Sequence, residues 1–447
     1  MMTSHLRRVV LALALVHAAA GVAAATNSLE AGRRALAHGD LREAQRRFRA
    51  AVAEAPTDPG AHVGHGEASE ALGEFTEALE AYQAAARLAP GPRTHQYVGA
   101  LAARMGRLDV AVAALTESTG SSFPRRVRQS ITTGGSAWAD CFEPTRALLA
   151  CTGVAVSASL IDFRSHPDAA QELFRVLIDA GTRDGALAIA RRHGWLHDRV
   201  DYCDPSQAGL SQETAALLAM LLQPDRADCL VEAGKDLTDA GLTRLARRVL
   251  LDRIEHSAKA DVRAAAAAFL RHRLPAHDVP RLAESLNVVG YNLQHHYRLN
   301  SEAEAVYRRA IAADPRFSWP YQNIGRLYLL QNANDKAIGW LRQAVAANPD
   351  HFRAQFNLGV AAERLQRWDE AAGAFGRAVE LNTDDADGHA RLGWVLLKLN
   401  READAVNEFS IAVQLNPALA EERRFLNGKR GDGKPGANAG QRSATSR

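Results

Sequence analysis

The chain has 447 residues, a formal net charge of +3 and only 6% aromatic residues. That length allows two or three ordinary domains or one long repeat array. Arg7 and Arg8 near the start and a basic last twenty residues carry the positive excess, so the body between them is near neutral, which argues against nucleic-acid binding driven by phosphate neutralisation.

Residues 1–25 read as a secretory signal peptide. Arg7 and Arg8 form its charged region, Val9 to Ala20 its apolar stretch, and Ala23-Ala24-Ala25 its small-residue exit, so cleavage is expected before Thr26. The apolar run is short for a spanning helix, and no later run is long enough to cross a bilayer. The mature chain is therefore expected to be exported, periplasmic or secreted, without a membrane span.

From residue 26 to 124 a pattern of small and large apolar residues recurs. Ala31-Gly32, Ala35, Ala44, Phe48, Ala51 and Pro56 make one unit. His65-Gly66, Ala78, Tyr82, Ala85 and Pro90 make the next. Val98-Gly99, Ala111 and Leu115 make a third, ending near Pro124.

Residues 125–280 are less regular. Leu173, Phe174, Leu177 and Ala186 keep the register of one degenerate unit, and Leu230, Gly234, Leu237, Ala246 and Leu250 that of another; Arg263 to Leu270 reads as a further helix. All four cysteines lie here. An even count behind a signal peptide predicts disulfides, and proximity pairs Cys141 with Cys151 and Cys203 with Cys229, one of three possible connectivities. No Cys-x-x-Cys supports zinc.

The pattern returns from 281 to 427. Val289-Gly290, Leu293, Ala303, Tyr307, Ala310 and Pro315 form a unit with one extra residue in its turn. Ile324-Gly325, Ala337, Leu341, Ala344 and Pro349 follow, then Leu358-Gly359, Ala371, Phe375 and Ala378, then Leu392-Gly393, Ala405, Phe409, Ala412 and Pro417, at 34-residue spacing. Ala418 to Asn427 reads as a closing helix, and 428–447, rich in Gly, Ser, Lys and Arg, as a disordered basic tail.

These blocks resemble the tetratricopeptide-repeat family. The resemblance implies an all-α, right-handed superhelix, an α-solenoid, with an irregular helical centre. Each unit is two antiparallel helices, A and B; a small residue lets them approach, large apolar residues fill the seam, and proline ends helix B. One unit cannot bury its own face, so neighbours must stack.

The resemblance also places helix A residues on the concave face. With Ser318 as first position, the second, fifth, sixth and ninth are Trp319, Gln322, Asn323 and Arg326. The next unit supplies Arg353, Phe356 and Asn357, the last Arg391 and Trp394, with Lys398 beyond. Asn323 and Asn357 at the sixth position are similar to the asparagine ladder of the sugar-transferase superhelix, which holds an extended peptide backbone. The arginines and Lys398 make an acidic ligand the expectation. The corresponding N-terminal residues Arg33, Glu67, Gln96 and Tyr97 show no comparable pattern.

Candidates for chemistry are few. His62 and His65 stand i, i+3, and His193 and His197 i, i+4, as metal ligands can. Asp198, Asp201 and Asp204 lack a glycine-containing calcium loop. The tail imitates a phosphate-binding loop until Pro435 replaces the required hydroxyl. No catalytic set, metal or cofactor is expected. The function this supports is a non-catalytic scaffold of the cell envelope that binds an extended peptide or protein partner in its concave groove. An accessory for assembly or secretion of an envelope complex is the alternative among binders, and a carbohydrate- or cofactor-handling enzyme sited in the irregular centre is the alternative of another class.

Overall fold

A computed structural model describes residues 27–118 and 243–432 and, between them, 167–179, 183–192, 194–196, 212–223, 229, 233–234 and 237–238. The signal peptide, Cys141, Cys151, Cys203, His193, His197, the three loop aspartates and the tail beyond 432 lie outside the described residues. The fold is all-α, built of antiparallel helix pairs, in two compact units divided between Pro320 and Tyr321.

In the first unit α1 (27–37), α2 (Leu41–Glu54), α3 (Pro59–Ala71), α4 (Phe75–Leu88), α5 (Pro92–Arg104) and α6 (Leu108–Ser118) form three pairs. Next come α7 (Pro167–Asp179), α8 (Arg183–Arg192), α9 (Gln212–Leu222), α10 (Thr243–His256) and α11 (Ala260–Arg273), then α12 (Arg281–His295) and α13 (Asn300–Ala313). Helix α14 (Ser318–Leu330) carries the division. The second unit continues with α15 (Asn334–Ala347), α16 (Phe352–Arg364), α17 (Trp368–Leu381), α18 (Ala386–Lys398), α19 (Glu402–Leu415) and α20 (Ala420–Asp432). The closing helix was expected to stop at Asn427. It runs to Asp432.

The helices begin and end where local chemistry dictates. Pro59 and Pro92 occupy first helical positions, where the missing N–H costs nothing, and the Asp58 carboxylate accepts the Gly60 N–H at 2.8 Å. After helix B, Asp314, Asn348 and Asn416 each precede a proline. Each side chain accepts the N–H two residues on, at 3.0 Å in all three.

One contact recurs through both units. A Cβ built on Gly32, Gly66, Gly99 or Gly290 in the first unit, or on Gly325, Gly359 or Gly393 in the second, would lie 2.4–2.8 Å from Phe48, Tyr82, Leu115, Tyr307, Leu341, Phe375 or Phe409 respectively. These large side chains are at most 1% exposed, so they cannot swing aside. The paired alanines, from Ala44 and Ala78 to Ala371 and Ala405, are fully buried. Burial of each ring or leucine contributes about 1.5–3 kcal/mol. The degenerate centre uses the same chemistry: Leu173, Phe174, Leu177 and Ala186 are buried in the α7–α8 pair, where Trp195 meets Phe174 edge-on at 5.8 Å. Cys229 is buried.

The turn between helices A and B holds one residue with positive φ in each repeat. In the first three repeats it is glycine, Gly39, Gly73 and Gly106. In the later ones it is Arg298, Asn332, Gln366 and Asn400, at φ of 56–60°. The repeat at 281–313 was expected to open the C-terminal array. It lies in the first unit, across those three glycine turns. Arg281 Cβ stands 3.7 Å from a Cβ built on Gly106. Val289 and Val306 stand 3.4 and 3.2 Å from one on Gly73, and the Tyr297 ring 3.3 Å from one on Gly39. Arg281, Val289 and Tyr297 follow one another at steps of eight residues. The Arg281 guanidinium donates to Ala103 O and the Ser285 hydroxyl to Arg104 O, both at 2.9 Å.

Gly359→Ala is expected to destabilise the second unit by about 1–3 kcal/mol through overpacking on Phe375, and Gln366→Gly to stabilise it by about 0.5–1 kcal/mol by relieving a left-handed residue; urea unfolding of the two variants reads both signs. Burial, followed by the charge of Arg353, holds the His351 imidazole down to about 3 from its ordinary 6.5. Below pH 6.5 the unfolded chain gains a proton that the folded chain refuses, so stability is present above 6.5 and is lost as pH falls toward 3, by up to ~1.4 kcal/mol per pH unit. Unfolding of wild type and His351→Gln at pH 7.5, 5.5 and 4.5 is expected to show the shallower slope in the variant.

Candidate functional site

The seam consumes the B-facing side of each helix A, and the remaining side is where a ligand can lie. In the second unit Gln322 is buried, and Asn323 and Arg326 are half-buried on α14. On α16 Arg353 is exposed, while Phe356 and Asn357 are half-buried; the Phe356 ring meets Phe375 edge-on at 5.6 Å. The Asn357 side chain makes no hydrogen bond among the described residues. Lys398 is exposed at the end of α18.

Three expected groove residues have other engagements. Trp319 belongs to the first unit, stacked on Phe317 at 6.0 Å beside Val279 and Ala283. The guanidinium of Arg391, expected to draw a ligand's acid, already spans Glu363 at 2.9 Å and Asp387 at 3.1 Å and lies over the Phe356 ring at 5.8 Å. Trp394 donates its indole N–H to Glu422 at 2.8 Å and packs against Phe409 and Phe425 at 5.0 and 6.3 Å. The terminal helix takes the place that a further repeat would occupy, and so covers that face.

The first unit holds a concavity built around residues that showed no pattern in the sequence. A cavity of about 590 Å³ lies between α3, α5 and α12, and one of about 490 Å³ between α1, α3 and α5; they share Glu67, Arg93 and Tyr97. Arg33 lines the second cavity and Gln96 the first. Tyr82 and Tyr97 stack at 4.9 Å with an interplanar angle of 15°, and Arg93 caps the far side of Tyr97 at 5.9 Å. The Tyr97 hydroxyl donates to Glu67 at 2.9 Å and the Tyr82 hydroxyl to Glu70 at 2.7 Å, while Arg104 pairs with Glu70. Burial, then the nearby Glu70 charge, raises the Tyr82 phenol far above its ordinary range, so it stays a donor. The floor is thus a rigid tyrosine stack whose two carboxylates and two arginines balance. Helix α12 adds Val289 and Asn292.

The histidine pair His62 and His65 does not converge. His65 sits 2.9 Å from Glu77, while His62 bonds the carbonyl of Pro56 at 2.9 Å. Burial lowers the His65 imidazole. Among the described residues no three His, Cys, Asp or Glu side chains gather as metal ligands would, and no helix is long and apolar enough to cross a membrane.

A family model for the tetratricopeptide repeat matches residues 29–91, 298–351, 323–386 and 356–420. Solved structures to which this chain is similar include a crystal structure of MamA, 22% identical, with a TM-score of 0.29 over 31% of this chain and 82% of that one. They also include MamA from Desulfovibrio magneticus RS-1, 19% identical, TM-score 0.28, over 44% and 98%. MamA AMB-1 is 23% identical, TM-score 0.28, over 45% and 97%. A comparison with curated proteins found no match. Residues 29–91 and 298–420 are tetratricopeptide repeats.

Proposed function

We propose that this protein is an exported scaffold that holds an extended segment of a protein partner across the concave faces of its A helices. A protein-interaction scaffold is the role that the repeats support. The observation that carries the peptide reading is the amide of Asn357, half-buried on α16 and without a hydrogen-bond partner among the described residues. It stands 34 residues after Asn323 at the same register. An amide both donates and accepts, as a peptide unit does. Arg353 and Lys398, both exposed, favour acidic side chains on that segment.

Export rests on the leader: two arginines, an apolar stretch and a small-residue exit. In an oxidising compartment Cys203 is the proposed partner of Cys229, and Cys141 that of Cys151. N-terminal sequencing of exported protein is expected to start at Thr26; membrane-bound protein beginning at Met1 would contradict export.

The double change Asn323→Ala plus Asn357→Ala is expected to weaken a bound peptide by about 1–3 kcal/mol in total, by forfeiting polar contacts. The urea midpoint should barely move, since neither residue lies in the seam. Titration of a partner captured from envelope extract checks this. Equal affinity for wild type and double variant would remove this groove from the binding surface.

A further inference from the structure

We draw no further inference here: the strongest candidate, the exposed edge of the second unit along its turns at Asn332, Gln366 and Asn400, equivalent to the edge on which α12 and α13 pack in the first unit, bears side chains where that edge has glycines, and nothing in the structure shows what covers it.

Discussion

The architecture depends on one approach: the backbone of helix A lies directly against a large side chain of helix B, with no room for a Cβ between them. At Gly359 an added carbon would sit 2.6 Å from the Phe375 ring. This contact sets the distance within each helix pair and thereby decides which side of helix A remains for a ligand. It also explains the stacking. A single pair buries one large side chain and a few alanines, too little to offset the ordering of more than thirty residues at roughly 1–2 kcal/mol each. Neighbouring pairs supply the missing apolar area.

A second device, the left-handed turn residue, distinguishes the repeats from one another. Arg298, Asn332, Gln366 and Asn400 carry side chains at this position, and Gly39, Gly73 and Gly106 do not. Bare turns allow close approach, and α12 and α13 pack there, with Val306 on Gly73 and the residue just beyond α12, Tyr297, on Gly39. That packing places Val289 and Asn292 beside Gln96 and gives the first unit its walled groove.

The sequence made the repeats legible because the helix-pair contact imposes a 34-residue period that few substitutions satisfy: Gly32 to Gly393 and Phe48 to Phe409 could all be placed beforehand. Contacts that do not repeat were not legible. The partners of Arg391 are one acid in its own helix and one in the preceding repeat, Asp387 and Glu363, and no period marks such a pair. Trp394 is covered by a helix that belongs to no repeat. The docking of 281–313 joins segments separated by 178 residues in the case of Arg281 and Ala103, beyond the reach of any local pattern. The turn glycines are a usable sequence signal, three in the first array and none at the turns of the later one. Arg33, Glu67, Gln96 and Tyr97 showed no pattern because their role comes from the tyrosine stack and from α12.

The account turns on the 281–313 repeat being structurally part of the first array. Native-state hydrogen exchange on the full chain, read by mass spectrometry as denaturant is raised, tests this most directly. Helices packed as one cooperative unit open together. The account predicts that amides of Arg281–His295 and Asn300–Ala313 lose protection at the same denaturant concentration as those of Pro59–Ala71 and Pro92–Arg104, and that Gly73→Val lowers that concentration for all four helices. Opening of Arg281–Ala313 with the helices after Tyr321, unaffected by the change at Gly73, would contradict it.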